Sequence, residues 1–379
     1  MGIIKKLYIA GCWVLSLALP IDKNKVVFSS YYGRGYSDNP KAICEAMRKA
    51  NSKAKLVWLC KNEKEAATLP EGVIPCPYDS AKRVWQLATA RVWVDNCRKY
   101  DRFKKKGQYY LQTWHGFPLK RIEKDALEAL APDFEKGAIK DSAMTDLLLS
   151  NSGFVTETLR RCFWYDGEIA EYGSPRNDVF LTPDPATDIK VRDAYNLPHD
   201  RKLVLYAPTF RADHSVEAYR IDAEMLAASL ERRFGGEWSV LIRLHPNVAK
   251  DSEGLFPYDN NRIINATMYP DMQELLCASD MLITDYSSSM FDFALGGKPC
   301  VRFALDLDAY MGDRNFYFDY DEIPFPYATS NEAMKKLIED FDIETYNTAR
   351  DEFYKRLNIH EDGRASQRCA QWIEDKLKG

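Results

Sequence analysis

Residues 25–40, KVVFSSYYGRGYSDNP, join a short apolar run to a glycine-containing loop and a proline. The run at 26–29 predicts a buried strand, and Pro40 suits the first turn of a helix because its ring already fixes a helical φ. A strand, a loop and a helix in this order begin a βα unit. Such units favour a parallel sheet covered by helices.

The same pattern recurs along the chain in two series. The first continues with brief apolar runs at 55–60, 72–76, 91–96, 109–116, 146–152 and 168–178. After a connector rich in proline and aspartate at 181–200, the second has runs at 202–211, 239–247, 261–267, 280–294 and 298–304. We predict an α/β fold of two Rossmann-like domains with a ligand cleft between them. The predicted division is an N-terminal segment at 1–22, domains at 23–185 and 186–355, and a C-terminal helix at 356–379.

Composition excludes several classes of protein. The 379 residues are 46% hydrophobic and 28% charged, which is typical of a packed globular protein rather than a disordered one. A net charge of −4 argues against a nucleic-acid partner, although the basic runs at 98–106 and 120–124 could face anions locally. Nine cysteines without any CxxC spacing indicate neither a zinc site nor a disulfide framework, so a reducing cytosol is expected.

The N-terminal segment has three interpretations. A basic start with Lys5 and Lys6 precedes an apolar run from 7 to 19, as in a secretory signal peptide. The run is too short to span a bilayer, which needs about 20 apolar residues. A helix lying in the headgroup plane, or a first helix packed on the domain, is therefore preferred to a cleaved signal.

Two polar stretches of the second series point to an anion site. His245 follows an apolar run and precedes Pro246, so it is expected at the carboxyl end of a strand, with Arg243 on the same face. In TDYSSSMFDFALGGKP, Asp285 closes a strand and hydroxyl-bearing residues start a helix, an arrangement that favours phosphate. A structural histidine and ordinary helix capping remain the alternatives at these positions.

The stretch 112–122, QTWHGFPLKRI, offers a candidate general base. His115 follows an apolar run, and Gly116 allows a ligand or backbone to come close. Lys120 and Arg121 would lower the imidazole pKa and keep the base unprotonated. A core histidine packed between Trp114 and Phe117 is the competing interpretation.

Taken together, these stretches and NSGFVTETLRRCF, YGSPRND and YAPTFR resemble the CDP-glycerol glycerophosphotransferase family of teichoic acid synthesis. The resemblance covers nearly the whole chain and implies a GT-B fold with an acceptor-binding first domain and a CDP-alditol-binding second domain. It also implies that His115 is the general base on the acceptor hydroxyl and that His245 contacts the donor pyrophosphate. Further substrate contacts are implied for Gly116, Arg211, Arg243, Asp285, Ser287, Ser288 and Asp292.

The resemblance implies a primase-type reaction without a metal or other cofactor. A hydroxyl of an undecaprenyl-diphosphate-linked disaccharide would attack the β-phosphorus of CDP-glycerol and release CMP. The acceptor would bring the protein to the cytoplasmic membrane surface, where the basic run at 98–106 would meet anionic lipids. Transfer of ribitol phosphate, polymerisation, a GT-B glycosyltransferase using a nucleotide sugar, and a regulator that binds nucleotides without turnover stay open as alternatives.

Overall fold

A computed structural model of the chain describes residues 3–99, 104–211, 216–245, 248, 254–259, 261–313 and 316–379. The chain forms two compact units. The first unit comprises 1–115, 122–178 and 359–379, and the second comprises 116–121 and 179–358. Each unit contains one parallel sheet.

The sheet of the first unit has seven strands in the order β3-β2-β1-β4-β5-β6-β7. Its strands are β1 Asp22–Ser29, β2 Lys55–Cys60, β3 Val73–Pro77, β4 Ala90–Asp95, β5 Tyr109–Gln112, β6 Leu147–Leu149 and β7 Glu168–Ala170. The helices of this unit are α1 Ile3–Ser16, α2 Asp38–Lys49, α3 Glu63–Ala66, α4 Ala81–Thr89, α5 Phe134–Met144, α6 Gly153–Cys162 and, near the end of the chain, α15 Ala365–Lys378. Apolar side chains of β1, β2 and β4 face both sides of the sheet, because helices cover both faces.

The sheet of the second unit has six strands in the order β10-β9-β8-β11-β12-β13. Its strands are β8 Lys202–Tyr206, β9 Trp238–Ile242, β10 Ile263–Asn265, β11 Met281–Thr284, β12 Cys300–Phe303 and β13 Tyr327–Ala328. Helix α7, Asp178–Leu181, lies at the passage from the first unit to the second. The remaining helices are α8 Pro185–Tyr195, α9 Ala223–Phe234, α10 Met272–Ala278, α11 Ser289–Ala294, α12 Leu307–Asp313, α13 Asn331–Glu339 and α14 Ile343–Leu357.

Both sheets follow the doubly wound order in which the strand sequence reverses beside the first strand. The reversal falls between β1 and β4 in the first unit and between β8 and β11 in the second. Ligands of such sheets bind outside the carboxyl ends of the strands at the point of reversal. The predicted α/β class with two parallel sheets is confirmed.

Helix α1 has one buried and one exposed side. Trp13, only 2% exposed, joins the core beneath α4 with Val84 and Leu87. Tyr8, Val14, Leu15 and Leu17 are exposed large apolar residues. The side chains of Lys5 and Lys6 lie outside the described part of the chain. Among the helices described, none is both long and apolar enough to cross a bilayer.

The basic run at 98–106 is only partly described, and its described beginning does not face solvent. Arg98 is buried and forms ion pairs with Glu123, at 2.7 Å, and Asp141, at 3.0 Å. Lys99 is buried as well and pairs with Asp95 at 2.8 Å. The prediction that this run attracts anionic lipids is therefore wrong for Arg98 and Lys99, while residues 100–103 lie outside the described residues.

Candidate active site

His115 follows strand β5 in the first unit and is half-buried. Its Nδ1 lies 2.5 Å from the backbone carbonyl oxygen of Asn96, which follows the neighbouring strand β4. A carbonyl oxygen can only accept, so Nδ1 carries the proton of the neutral ring and donates it to Asn96. The lone pair of the neutral imidazole is consequently on Nε2, the atom a base would use.

Burial is the first cause that lowers the pKa of His115 below the ordinary histidine value. The hydrogen bond to Asn96 and the charge of Asp38 oppose this shift, and the charge of Arg176 adds to it. The sequence predicts the direction correctly but attributes it to Lys120 and Arg121. That attribution is wrong, because the ammonium group of Lys120 donates to the Tyr310 hydroxyl at 2.6 Å within the second unit.

The backbone around His115 is held in conformations that few residues adopt. Trp114 has a φ of +53°, in the left-handed region, and its ring lies against the His115 ring with centroids 4.3 Å apart. Gly116 has a φ of +130°, which glycine alone adopts readily. Strained backbone of this kind persists where the surroundings over-determine it and is concentrated at functional sites.

Sequence reasoning missed a group of buried polar residues beside His115. Tyr31 follows β1, Asp38 and Asn39 begin α2, and Arg176 lies in a 3-10 turn after β7. Asp38 accepts hydrogen bonds from the Tyr31 hydroxyl and from Arg176, both at 2.7 Å. The motifs SDNP and SPRND carried the signal, but their partners are far apart in sequence.

In the second unit, Asp285 ties two strand ends together. It follows β11 and is fully buried, and its Oδ1 accepts hydrogen bonds from the backbone N–H groups of Thr209, at 2.8 Å, and Tyr286, at 2.5 Å. Its Oδ2 pairs with Arg211 at 2.8 Å. The loop after β8 and the loop after β11 therefore form one hydrogen-bonded structure, and contact of Asp285 with substrate stays a prediction.

Arg211 is also buried and has a second carboxylate partner. Its Nε lies 2.7 Å from Asp306, and the guanidinium lies 4.9 Å from the ring of Tyr286 and 4.8 Å from that of Tyr310. These two rings stack on each other at 3.7 Å. The contacts give Arg211 a role in holding the loops in place, and its contact with substrate stays a prediction.

Ser287 and Ser288 are half-buried in the loop between β11 and α11. The Ser287 hydroxyl accepts from the backbone N–H of Ser289 at 3.3 Å, and the N-cap residue Ser288 makes no side-chain capping hydrogen bond. Helix α11 has six residues and contains Asp292, which is 2% exposed. The structure thus brings the serines beside Asp285, and their contact with phosphate remains a prediction.

Arg243 and His245 follow strand β9, the neighbour of β8. Arg243 donates from its backbone N–H to Tyr206 at 2.9 Å and from Nη1 to the Tyr269 carbonyl at 2.6 Å. The His245 side chain is exposed, with its ring centroid 5.0 Å from that of Phe210 in the loop after β8. The candidates in the loops after β8, β9 and β11 therefore lie at one edge of a single sheet, whereas Asp292 lies in α11 and Gly116 in the segment 116–121.

The segment 116–121 packs entirely on the second unit. The ring of Phe117 lies 4.4 Å from Phe291 of α11, and Lys120 pairs in an antiparallel bridge with Phe316. The Tyr317 N–H also donates to the Leu119 carbonyl at 3.0 Å. Phe117 therefore contacts the helix that follows the serine loop.

Within the described parts of the two units, no group of three or more histidine, cysteine, aspartate or glutamate side chains is arranged to hold a metal ion.

Both units are doubly wound sheets, an α/β architecture that binds ligands outside the carboxyl ends of its strands, where the candidate histidine, arginine and hydroxyl side chains lie. The chain belongs to the CDP-glycerol:poly(glycerophosphate) glycerophosphotransferase family, whose profile matches residues 12–375. It is 32% identical over 374 residues to the teichoic acid poly(glycerol phosphate) polymerase of Bacillus subtilis strain 168, covering 95% of this chain and 50% of that protein. The chain thus spans about half the length of that relative.

Two further relatives match over almost their full length. The teichoic acid glycerol-phosphate transferase of Staphylococcus aureus strain NCTC 8325 / PS 47 is 33% identical over 367 residues, covering 93% of each protein. A solved structure of the wall teichoic acid polymerase TagF, a histidine-to-asparagine variant soaked with CDPG, superposes with a TM-score of 0.83 at 32% identity. That match covers 99% of this chain and 97% of the solved one.

Proposed function

We propose that the protein transfers glycerol phosphate from CDP-glycerol to a hydroxyl of an undecaprenyl-diphosphate-linked disaccharide and releases CMP. Family membership supports the donor and the transfer of glycerol phosphate. Addition of a single unit, as by a primase, is the form of the reaction that we propose.

The observation that carries this proposal is the state of His115. Its Nδ1–H is held by the Asn96 carbonyl, and burial lowers its pKa, so the neutral ring with a lone pair on Nε2 dominates at neutral pH. A base in this state can accept a proton from a hydroxyl without first losing one of its own.

The proposed reaction is an in-line displacement at the β-phosphorus of CDP-glycerol. The acceptor oxygen forms a new bond to that phosphorus while its proton passes to Nε2 of His115. The bond from the phosphorus to the bridging oxygen breaks, and CMP leaves with the electron pair on its phosphate. Holding both reactants in line removes much of the entropic barrier, and fixed positive groups stabilise the developing charge.

The donor phosphates are proposed to bind at the strand ends of the second unit. His245 and Arg243 after β9, and Ser287 and Ser288 after β11, lie at the edge where doubly wound sheets bind ligands. Asp285 holds the loops after β8 and β11 together, as described above. The hydrogen-bonding groups of these two loops are therefore in position before substrate arrives. Such preorganisation is what stabilises charge in a transition state.

The test combines CDP-glycerol with the lipid-linked disaccharide and follows CMP release together with product mass. The His115→Gln and His245→Gln variants should each lose about 100- to 10,000-fold in kcat, the usual contribution of a general acid or base and of a charge-stabilising group. His199→Gln, a histidine exposed in the second unit, is the matched control and should keep full activity.

The product distinguishes the rival functions. A mass increment of glycerol phosphate supports the proposal, and a ladder of increments would make the enzyme a polymerase. Turnover with CDP-ribitol but not with CDP-glycerol would show that the enzyme transfers ribitol phosphate. Transfer of a sugar without phosphorus would show that it is a glycosyltransferase. Nucleotide binding without CMP release, unaffected by either histidine variant, would leave a regulator and overturn the proposal.

We also propose that the exposed side of α1 lies in the headgroup region of an anionic bilayer, which would bring the protein to its lipid-linked acceptor. Val14 and Leu15 are 60% and 77% exposed on a helix whose Trp13 is buried, and Leu17, in the turn directly after the helix, is 54% exposed. An amphipathic helix with an outward apolar face is the form that lies in a membrane interface. Deleting 1–19 would remove Trp13 from the core, so single-face substitutions test the proposal better than truncation does.

A further inference from the structure

The loop between β1 and α2 has an unusual backbone. Tyr31, Tyr32 and Asp38 have φ values of +44°, +61° and +64°, all in the left-handed region. Each such residue costs about 1–3 kcal/mol and persists only when neighbouring contacts enforce it. The enforcing contacts are the Tyr31 hydroxyl on Asp38, at 2.7 Å, and the Tyr31 N–H on the Asn96 side chain, at 2.9 Å.

The second part of the arrangement is a buried ion pair. Asp38 and Arg176 lie 2.7 Å apart, with side chains 5% and 8% exposed. A buried ion pair is by itself weak evidence that the pair stabilises the fold, because the cost of removing both charges from water offsets their attraction. Burial by itself would raise the pKa of Asp38, but Arg176 and hydrogen bonds from Asn39 and Tyr31 hold it below the ordinary value. The pair is therefore ionised.

Asn39 connects this pair to the backbone that carries His115. Its side-chain N–H donates to the Trp114 carbonyl at 3.0 Å, and its Oδ1 accepts from the Arg176 backbone N–H at 3.0 Å. The Tyr31 ring meets the His115 ring edge-on with centroids 5.6 Å apart. Three separate segments are thereby joined around one imidazole.

We propose that the Asp38–Arg176 pair, with Asn39, positions His115 and balances the charge around its ring. The inference rests on the proposed role of His115 as the base. When His115 takes up a proton, Asp38 stabilises the resulting cation and Arg176 opposes it. The two residues therefore act in opposite directions on the protonation of the same ring.

Other groups face His115 from the neighbouring elements and must be held constant. The end of β4 contributes Asp95, whose carboxylate is paired with Lys99, and the loop after it contributes Cys97, whose Sγ lies 3.9 Å from Nδ1. The loop after β1 contributes the Tyr31 hydroxyl. None of these is altered in the experiment below.

The experiment measures the pH dependence of kcat/KM for CMP release, and the titration of the His115 ring by NMR of ¹³C-histidine-labelled protein. Asp38→Asn leaves Arg176 facing the ring, so the acid limb and the ring titration should move to lower pH. Arg176→Gln leaves Asp38, so both should move to higher pH. Shifts of about one pH unit are expected, the usual spread of histidine pKa values among folded proteins. The double variant should return towards the wild-type position.

Matched controls are Asp22→Asn and Lys55→Gln, which break an ion pair of 2.8 Å in the same unit, with side chains 29% and 58% exposed. Neither control should move the acid limb of kcat/KM or the titration of the His115 ring. If Arg176→Gln is not recovered folded, Arg176→Lys replaces it, because lysine keeps the charge. An acid limb of kcat/KM that stays in place while kcat falls would support the inference. An acid limb that moves in this variant would overturn it. Shifts of both single variants in one direction, or no shift, overturn it as well.

The ring titration separates the two hypotheses. If wild-type protein releases no CMP while the ring still titrates and shifts as described, the proposed function fails and the positioning stands. If wild-type protein turns over but the variants leave the limb in place, only the positioning fails.

Discussion

Removing apolar surface from α1 should weaken membrane binding by an amount that the structure allows us to work out. The change is Val14→Ser together with Leu15→Ser. Complete burial of such a side chain contributes about 1.5–3 kcal/mol. With exposed fractions of 60% and 77%, each has roughly 1–2 kcal/mol still to gain in a bilayer, or about 2–4 kcal/mol for the pair. At about 1.4 kcal/mol per factor of ten, partitioning should fall roughly 30- to 1,000-fold.

The assay is flotation of the full chain with vesicles of mixed zwitterionic and anionic phospholipid. Ile189→Ser is the matched control, because Ile189 is 46% exposed on α8 of the second unit and should not affect partitioning. Thermal unfolding should be unchanged in both variants, since Trp13 still fills the core beneath α1. If the double variant floats as well as the wild type, or if the control falls equally, the reasoning about α1 is refuted.

Three further outcomes follow from the site and the core. Gly116→Ala should cost about 1–3 kcal/mol of backbone strain and lower kcat, because φ at this position is +130°. The control Gly11→Ala should leave CMP release intact, because its added methyl meets no atom within 4 Å. Equal kcat values for the two variants would contradict the prediction. The acid limb of kcat/KM should lie below the ordinary histidine pKa of about 6.5, since His115 is protonated and inactive only at lower pH, and a limb above that value would count against it. Arg98→Met should lower the free energy of unfolding in urea by about 3–5 kcal/mol, because Glu123 is left buried without its cation, and a loss under about 1 kcal/mol would show that the pair contributes little.

The strands were predictable because a parallel sheet is buried on both faces, so each of its strands is a short run of apolar residues in the sequence. The run at 55–60 corresponds to β2 residue for residue, and that at 202–211 contains β8. Strand β13, Tyr327–Ala328, was missed because two residues carry no periodicity. Runs that continue past a strand were predicted too long, since the polar loop residues after them still look extended.

The candidate site was predictable only where a residue type is informative by itself. His115 and His245 stand out because histidines are few and follow apolar runs. Asp38 could not be identified in the same way, because its importance depends on a left-handed backbone and on Arg176, which is 138 residues away. Arg211 was expected to contact substrate only because of the family resemblance, and its partners Asp285 and Asp306 come beside it only through folding.

The chain passes between its two units more than once, and this restricts how the protein can be taken apart. Expressing 179–358 alone would omit Phe117, whose ring packs on Phe291. Expressing 1–178 alone would omit α15, whose Cys369 and Ile373 complete the core of the first sheet. Asp178 accepts from the N–H groups of Ala365 and Ser366 at the start of that helix. Half-molecules cut at the obvious midpoint should therefore aggregate, and separate binding studies of donor and acceptor are better done with point variants of the intact polypeptide.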